Sequence, residues 1–360
     1  MVNVTKTYFP PINSFIKQIE KIYDNQWLTN RGELVRELEI KISDYLNLLE
    51  SKFLIMNNGT IPIQIALKLL GNGGEIITTP FSYVATTASI IWEGCTPVFV
   101  DIDPDYLTID EEKIEAEITN NTTCILATHV FGNPCNIEKI EKIASKYNLY
   151  VIYDAAHCFG VKYKNKSIFE YGDVSTCSFH ATKIFHCGEG GGIFTNNSSL
   201  FDKFFYSHNF GHDGPLDFHG LGINGKMSEI SAAMGLAVLP NMESIIHGRK
   251  KVVDFYDANL VFKNFRKMRL RSLIDWNYSY YSIIFKSEKL LLKVQKILNE
   301  NNIFPRRYFY PSLNKIKFVG SNSICPNSEK ISKTILCLPL YFDLSISDQK
   351  KIISIINNYG

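Results

Sequence analysis

FLIMNNGTIPIQIALKLLGNGGEIITTP, residues 53–80, holds two short apolar runs, FLIM and EIITTP, with a turn and a segment of apolar residues three or four apart between them. Apolar runs of this length bounded by turn signals read as buried strands, and the intervening 3.6-residue repeat reads as a helix. Strand, helix, strand is the unit of a parallel sheet covered by helices on both faces. The same rhythm continues through PVFVDID (97–103), CILATHV (124–130), LYVIYDAA (149–156), VSTCSF (174–179) and GGIFTN (191–196). ATTASIIWEG and IEKIEKIASKYN supply two of the helical patterns between them. The expectation is an α/β large domain with a mostly parallel, seven-stranded sheet.

After about residue 240 the texture changes. A helical pattern through MESIIHGRKKVVDFYDANL precedes the strand-like NYSYYSIIF, and two further helices, EKLLLKVQKILNENN and SISDQKKIISIINNYG, follow. A smaller α+β domain over 241–360 beside a large domain over 1–240 accounts for this, since 360 residues exceed the size of most single domains. No Gly-, Ser- or Pro-rich linker separates the two, so they are expected to pack firmly.

Composition narrows the function. With 38 basic and 36 acidic residues the net charge is +2, so no strong field invites nucleic acid or an anionic membrane. Any anionic ligand must be met by local groups. The N-terminal segment has neither the basic nor the apolar region of a secretion signal, and no apolar run approaches the roughly 18 residues of a membrane helix. The chain is expected to be cytoplasmic. Its eight cysteines form no C-x-x-C pair and read as buried thiols rather than as disulfides or a metal site.

Open sheets of this kind bind ligands beyond the carboxyl ends of their strands. There the sequence offers NNGT (57–60), FSYVAT (81–86), AAHCFG (155–160) and HATK (180–183). The G-E-G-G-G that follows lacks the Lys-Ser/Thr ending of a P-loop and is read as a tight turn into the next strand.

In this order N-G-T, P-F-S-Y-V-A-T, G-x-x-P-V-F-V-D-I-D, Y-D-A-A-H, S-F-H-x-T-K and G-E-G-G, followed by G-x-N-G-K-M-S-E, resemble the sugar aminotransferases of the DegT/DnrJ/EryC1 family. The resemblance runs from WLTNRG (27–32) to LPLYFD (338–343). It implies an aspartate aminotransferase-like fold, a homodimer with shared active sites, and pyridoxal 5′-phosphate cycling to its amine form. It also implies L-glutamate as amino donor and a nucleotide-linked keto sugar as acceptor. Lys183 matches the family lysine that condenses with the cofactor's aldehyde and then shuttles a proton. To be nucleophilic near neutral pH it must be desolvated or set beside other cations. Asp154 matches the carboxylate beneath the ring nitrogen, and a carboxylate there favours the protonated ring.

Other positions follow from the same resemblance. His157 stands where the cofactor's ring hydroxyl is contacted, and Tyr83 where an aromatic stacks on the ring. Gly59, Thr60 and Ser178 are placed at the phosphate, where a helix N-terminus favours an anion. Asn224 corresponds to the asparagine that reaches the phosphate from the neighbouring subunit, although N-G-K replaces the family's N-Y-R and leaves Lys226 without a role. FPRRYFYPSL (304–313) lies where the family covers the active site, making Arg306, Arg307, Tyr308 and Tyr310 candidates for the sugar nucleotide. N-G-T-I-x-x-x-I-A-L resembles members that aminate C4 of a dTDP-4-keto-6-deoxy sugar, with C3 amination as the alternative. Dehydratase or non-catalytic members of the scaffold are the other alternative. The presence of Lys183 argues against the dehydratase and the non-catalytic readings.

Overall fold

The computed structural model describes residues 1–360. The seven strands expected from the apolar runs form one sheet. They are β1 (Lys52–Met56), β2 (Glu75–Thr78), β3 (Thr96–Phe99), β4 (Thr122–Thr128), β5 (Tyr150–Asp154), β6 (Val174–Ser178) and β7 (Gly191–Thr195), in spatial order β1-β7-β6-β5-β4-β2-β3. All neighbouring pairs are parallel except those of β7, which runs antiparallel between β1 and β6. Strand residues alternate between two faces, and both faces are buried, which explains why the sequence shows continuous apolar runs. Phe53 and Ile55 join a core with helices α2 (Glu33–Leu46) and α5 (Ile137–Tyr147). Leu54 and Met56 join another with α3 (Thr60–Leu70), α4 (Val84–Trp92) and α6 (Ser198–Ser207).

The C-terminal part holds its own core. Helices α8 (Met242–Asn259), α9 (Glu288–Glu300) and α11 (Ile346–Tyr359) pack with a three-stranded antiparallel sheet of β8 (Phe265–Lys267), β9 (Tyr281–Phe285) and β10 (Ile335–Leu338). Val2 of the N-terminus lies in this second core, and Val2–Asn3 pairs with Ile303–Phe304. All eight cysteines are buried and unpaired. No helix is long and apolar enough to cross a membrane.

One carboxylate ties the C-terminal part to the large sheet. Asp101, just beyond β3, is buried, and its two oxygens accept the backbone N–H groups of Asn327 (2.9 Å) and Ser328 (2.8 Å). These belong to the first turn of α10 (Pro326–Thr334), whose N–H groups have no partners within the helix. The first Asp of P-V-F-V-D-I-D is therefore a helix cap supplied from another part of the chain. Asp101→Ala is expected to cost about 2 kcal/mol of stability in denaturant unfolding, because it strands helix N–H groups. Asp101→Asn, which keeps an acceptor oxygen, should lose less.

Candidate active site

Strand register brings the expected residues to one edge of the sheet. Thr128 pairs with Asp154, and Asp154 with Thr176. Gly191 is opposite Ser178 on one side and Met56 on the other. The loops after β1, β2, β5 and β6 thus open at the same level, around a cavity of about 290 Å³. Gly59, Thr60, Tyr83, Asp154, His157, Ser178 and Lys183 all line it, together with Arg306 and Tyr308 from the C-terminal part.

The loop carrying Lys183 is closed by its own backbone. Phe179 N–H donates to the Gly190 carbonyl (2.7 Å), Ala181 N–H to that of Gly188 (2.7 Å), and Lys183 N–H to that of His180 (2.8 Å). Gly188 makes the reversal at φ 78°, a conformation that costs glycine little. Beneath the loop Phe185 stacks on Phe159 at 4.3 Å, and Phe179 packs edge-on against both. The amine is only partly exposed, and desolvation depresses its pKa against the opposing pull of Asp154. A larger share of the amine is neutral near pH 7 than for a solvent lysine.

Asp154 is buried at the end of β5, with Oδ2 accepting the Thr86 hydroxyl at 2.6 Å and Oδ1 the Ala156 N–H at 3.1 Å. His157 is also buried, and its Nδ1 accepts the Phe131 N–H at 3.2 Å, which leaves Nε2 as the protonated nitrogen of the neutral ring. Burial, reinforced by the Lys183 charge, holds the His157 pKa well below the usual histidine range. The carbonyl of His157 is held by Asn277 Nδ2 (2.9 Å) and the Ser279 hydroxyl. At the other end of the cavity a Cβ on Gly59 would stand 2.6 Å from Ser178 Cβ, so glycine is required for the loop after β1 to meet β6.

Several sequence expectations change here. The N–H groups of Thr60 and Ile61 are taken by the Asn58 side chain at 2.8 and 2.9 Å, leaving the hydroxyls of Thr60 and Ser178 as the donors best placed for an anion. Arg307 does not line the cavity. It turns away to pair with Glu288 at 2.7 Å and lies 3.6 Å over the Tyr310 ring, which is likewise outside. Adjacent side chains of an extended segment point to opposite sides, so only one of the two arginines can face the site. Arg306 does so, its backbone paired with Cys337 and its guanidinium 5.0 Å over the Tyr308 ring. Asn224, expected to serve a neighbouring subunit, is exposed outside the cavity of its own chain, with its Oδ1 accepting from Lys226 Nζ at 2.8 Å. Residues the sequence did not single out complete the wall: Ser82, Thr128, His180, Thr182, Glu189, Tyr280 and Phe309.

The sequence profile of the DegT/DnrJ/EryC1/StrS aminotransferase family matches residues 12–357. The chain belongs to that family. It is 39% identical to the dTDP-4-amino-4,6-dideoxy-D-glucose transaminase of Shigella dysenteriae, over 98% of this chain and 97% of the relative. The Escherichia coli protein of the same name is 37% identical over 96% and 95%. Among solved structures, DesI in the presence of its TDP-sugar product superposes with a TM-score of 0.92 at 26% identity, covering 99% of this chain and 92% of that one.

Aminotransferases of this family depend on pyridoxal 5′-phosphate, and the cavity fits that group. A buried carboxylate, a desolvated amine, an aromatic face and paired hydroxyls at a glycine turn are what its ring nitrogen, aldehyde, ring and phosphate require. Depression of the Lys183 pKa also has a sign that can be tested. The unfolded chain binds a proton here more tightly than the folded one, so this group costs stability near neutrality, and the cost falls as pH rises toward the ordinary lysine value of 10.5. In cofactor-free protein, Lys183→Met is expected to unfold at higher denaturant concentration than the parent at pH 7, with the gap narrowing toward pH 10. A gap independent of pH would show that the amine is not desolvated.

Proposed function

We propose that this enzyme transfers the amino group of L-glutamate to C4 of a dTDP-linked 4-keto-6-deoxyhexose, giving a dTDP-4-amino-4,6-dideoxyhexose of the glucose type. The observation that carries the reading is the placement of Lys183 and Asp154 on one cavity at the ends of adjacent strands. Pyridoxal phosphate bound there supplies an electron sink for the carbon that gains or loses a proton. Lys183 Nζ is the base and acid that moves that proton, a role for which its depressed pKa suits it. Asp154 holds the ring nitrogen's proton by accepting a charge-assisted hydrogen bond. His157 Nε2–H would donate to the ring hydroxyl, Tyr83 would offer its face to the ring, and Ser178 and Thr60 would hold the phosphate.

The choice of substrate is supported by the two dTDP-sugar transaminases that this chain resembles over nearly its whole length. Retention of the lysine favours transamination over the dehydratase or non-catalytic alternatives. Asn224, exposed and outside its own chain's cavity, fits a residue that completes the site of a second subunit, so the working unit is taken to be a homodimer. We place the enzyme in the cytoplasm, in the supply of amino sugars for a surface polysaccharide such as O-antigen. The division into domains 1–240 and 241–360 remains part of this proposal.

Arg306 is assigned to the diphosphate of the sugar nucleotide, because a guanidinium binds phosphate oxygens with two parallel hydrogen bonds. The test is a panel of dTDP-, UDP- and GDP-linked 3-keto and 4-keto sugars with glutamate as donor. Turnover is expected with the dTDP-4-keto-6-deoxy compound, and turnover confined to 3-keto sugars would overturn the assignment. Arg306→Ala should raise its KM by roughly tenfold, the loss of one charge-assisted contact, while leaving the glutamate half-reaction nearly unchanged. Arg307→Ala should instead lower stability and leave that KM alone.

A further inference from the structure

We propose that Thr86, backed by Ser82 and Thr128, is a positioning residue that keeps the cofactor's proton on the ring nitrogen and off Asp154. The inference rests on the reading of Asp154 as that nitrogen's partner. Three hydroxyls form a chain ending on the carboxylate. Thr128 Oγ1 lies 3.0 Å from Ser82 Oγ, Ser82 Oγ lies 2.8 Å from Thr86 Oγ1, and Thr86 Oγ1 lies 2.6 Å from Asp154 Oδ2. All three side chains are buried, at 4%, 1% and 0% exposure, so bulk water does not compete for these bonds. They come from the end of β4, the loop after β2 and the first turn of α4.

The direction of the chain is fixed by proton count. A hydroxyl has one proton to donate and an ionised carboxylate has none. Thr86 must therefore donate to Asp154, Ser82 to Thr86, and Thr128 to Ser82. Helical threonines ordinarily satisfy themselves on the carbonyl four residues back, as Thr334 does with that of Lys330 at 2.9 Å. Thr86 bonds the carboxylate instead. The hydroxyls of Thr87 and Ser89 in the same helix are buried without any partner, so the alignment of Thr86, Ser82 and Thr128 is not a general property of this helix.

Donation to the charged form lowers a carboxylate's affinity for a proton, and each hydroxyl in the row polarises the next. With Oδ2 held by Thr86 and Oδ1 by the Ala156 N–H, the plane of the carboxylate is set as well. Removing the Thr86 hydroxyl makes Asp154 the stronger base. The shared proton then moves toward the carboxylate, and the ring becomes a poorer acceptor of electrons.

The experiment uses holoenzyme reconstituted with cofactor labelled with ¹⁵N at the ring nitrogen. The readouts are the nitrogen's chemical shift, the cofactor dissociation constant, kcat and both KM values. Thr86→Val should move the resonance from the protonated toward the unprotonated range and lower kcat by roughly tenfold, with both KM values within about twofold of the parent. Thr86→Ser should restore both. Ser82→Ala and Thr128→Val should shift the resonance in the same direction by smaller steps. A parent-like resonance and kcat in Thr86→Val, or a Thr86→Ser variant no better than valine, would overturn the inference. Where Thr86→Val yields no folded protein, Ser82→Ala decides, and an unchanged resonance there rejects the relay. Asp154→Asn is the control. If it too keeps the parent resonance, the reading of Asp154 falls, whereas an altered resonance in it beside a normal Thr86→Val rejects the relay alone.

Discussion

Gly191 pairs with Ser178 on one side and Met56 on the other, and the position of nearly every group in the cavity follows from that register. Because β7 returns antiparallel between β1 and β6, the chain leaving β6 has only the residues between 178 and 191 in which to reverse. Lys183 sits at the tip of that short loop, closed by backbone hydrogen bonds and floored by phenylalanines. The same register brings the turn after β1 against Ser178 at a distance only glycine permits. The parallel strands β4, β5 and β6 then set Thr128 and Asp154 at the same level.

The titratable groups of the site are each governed by their local surroundings. Lys183 loses its solvent and tends toward the neutral amine. His157, buried beside it, is held neutral and oriented by a backbone N–H. Asp154 is buried between two donors, one hydroxyl and one backbone amide. Amine, imidazole and carboxylate thus stand on one wall, each fixed by contacts from a different part of the fold, and none of them depends on a surface field that salt would screen.

What the sequence disclosed, and what it hid, has a physical logic. All seven strands of the large sheet were legible because strands buried on both faces are written as unbroken apolar runs such as FLIM and YVIYD. That Lys183, Asp154 and His157 gather at the strand ends was legible because motifs fixed their places there. The two arginines of FPRRYFYPSL were not separable, since which of them faces inward depends on the phase of an extended segment and on Glu288, nineteen residues before Arg307 in the chain. The taking of the α3 N-terminus by Asn58, and the hydroxyl row behind Asp154, arise from contacts between loops far apart in sequence. Periodicity carries no record of such contacts. Helices α1 (Ile12–Asn25) and α2 lie in a segment that sequence reading left unassigned despite apolar residues at helical spacing.

The central claim is that Lys183 is the residue to which pyridoxal phosphate attaches. Borohydride reduction of the holoenzyme, followed by proteolysis and mass spectrometry of the peptides, tests it directly. The account predicts a single phosphopyridoxyl-modified lysine at position 183, absent when the residue is alanine. Modification of another lysine with Lys183 untouched, or a holoenzyme that takes up the label equally well after Lys183→Ala, would contradict it.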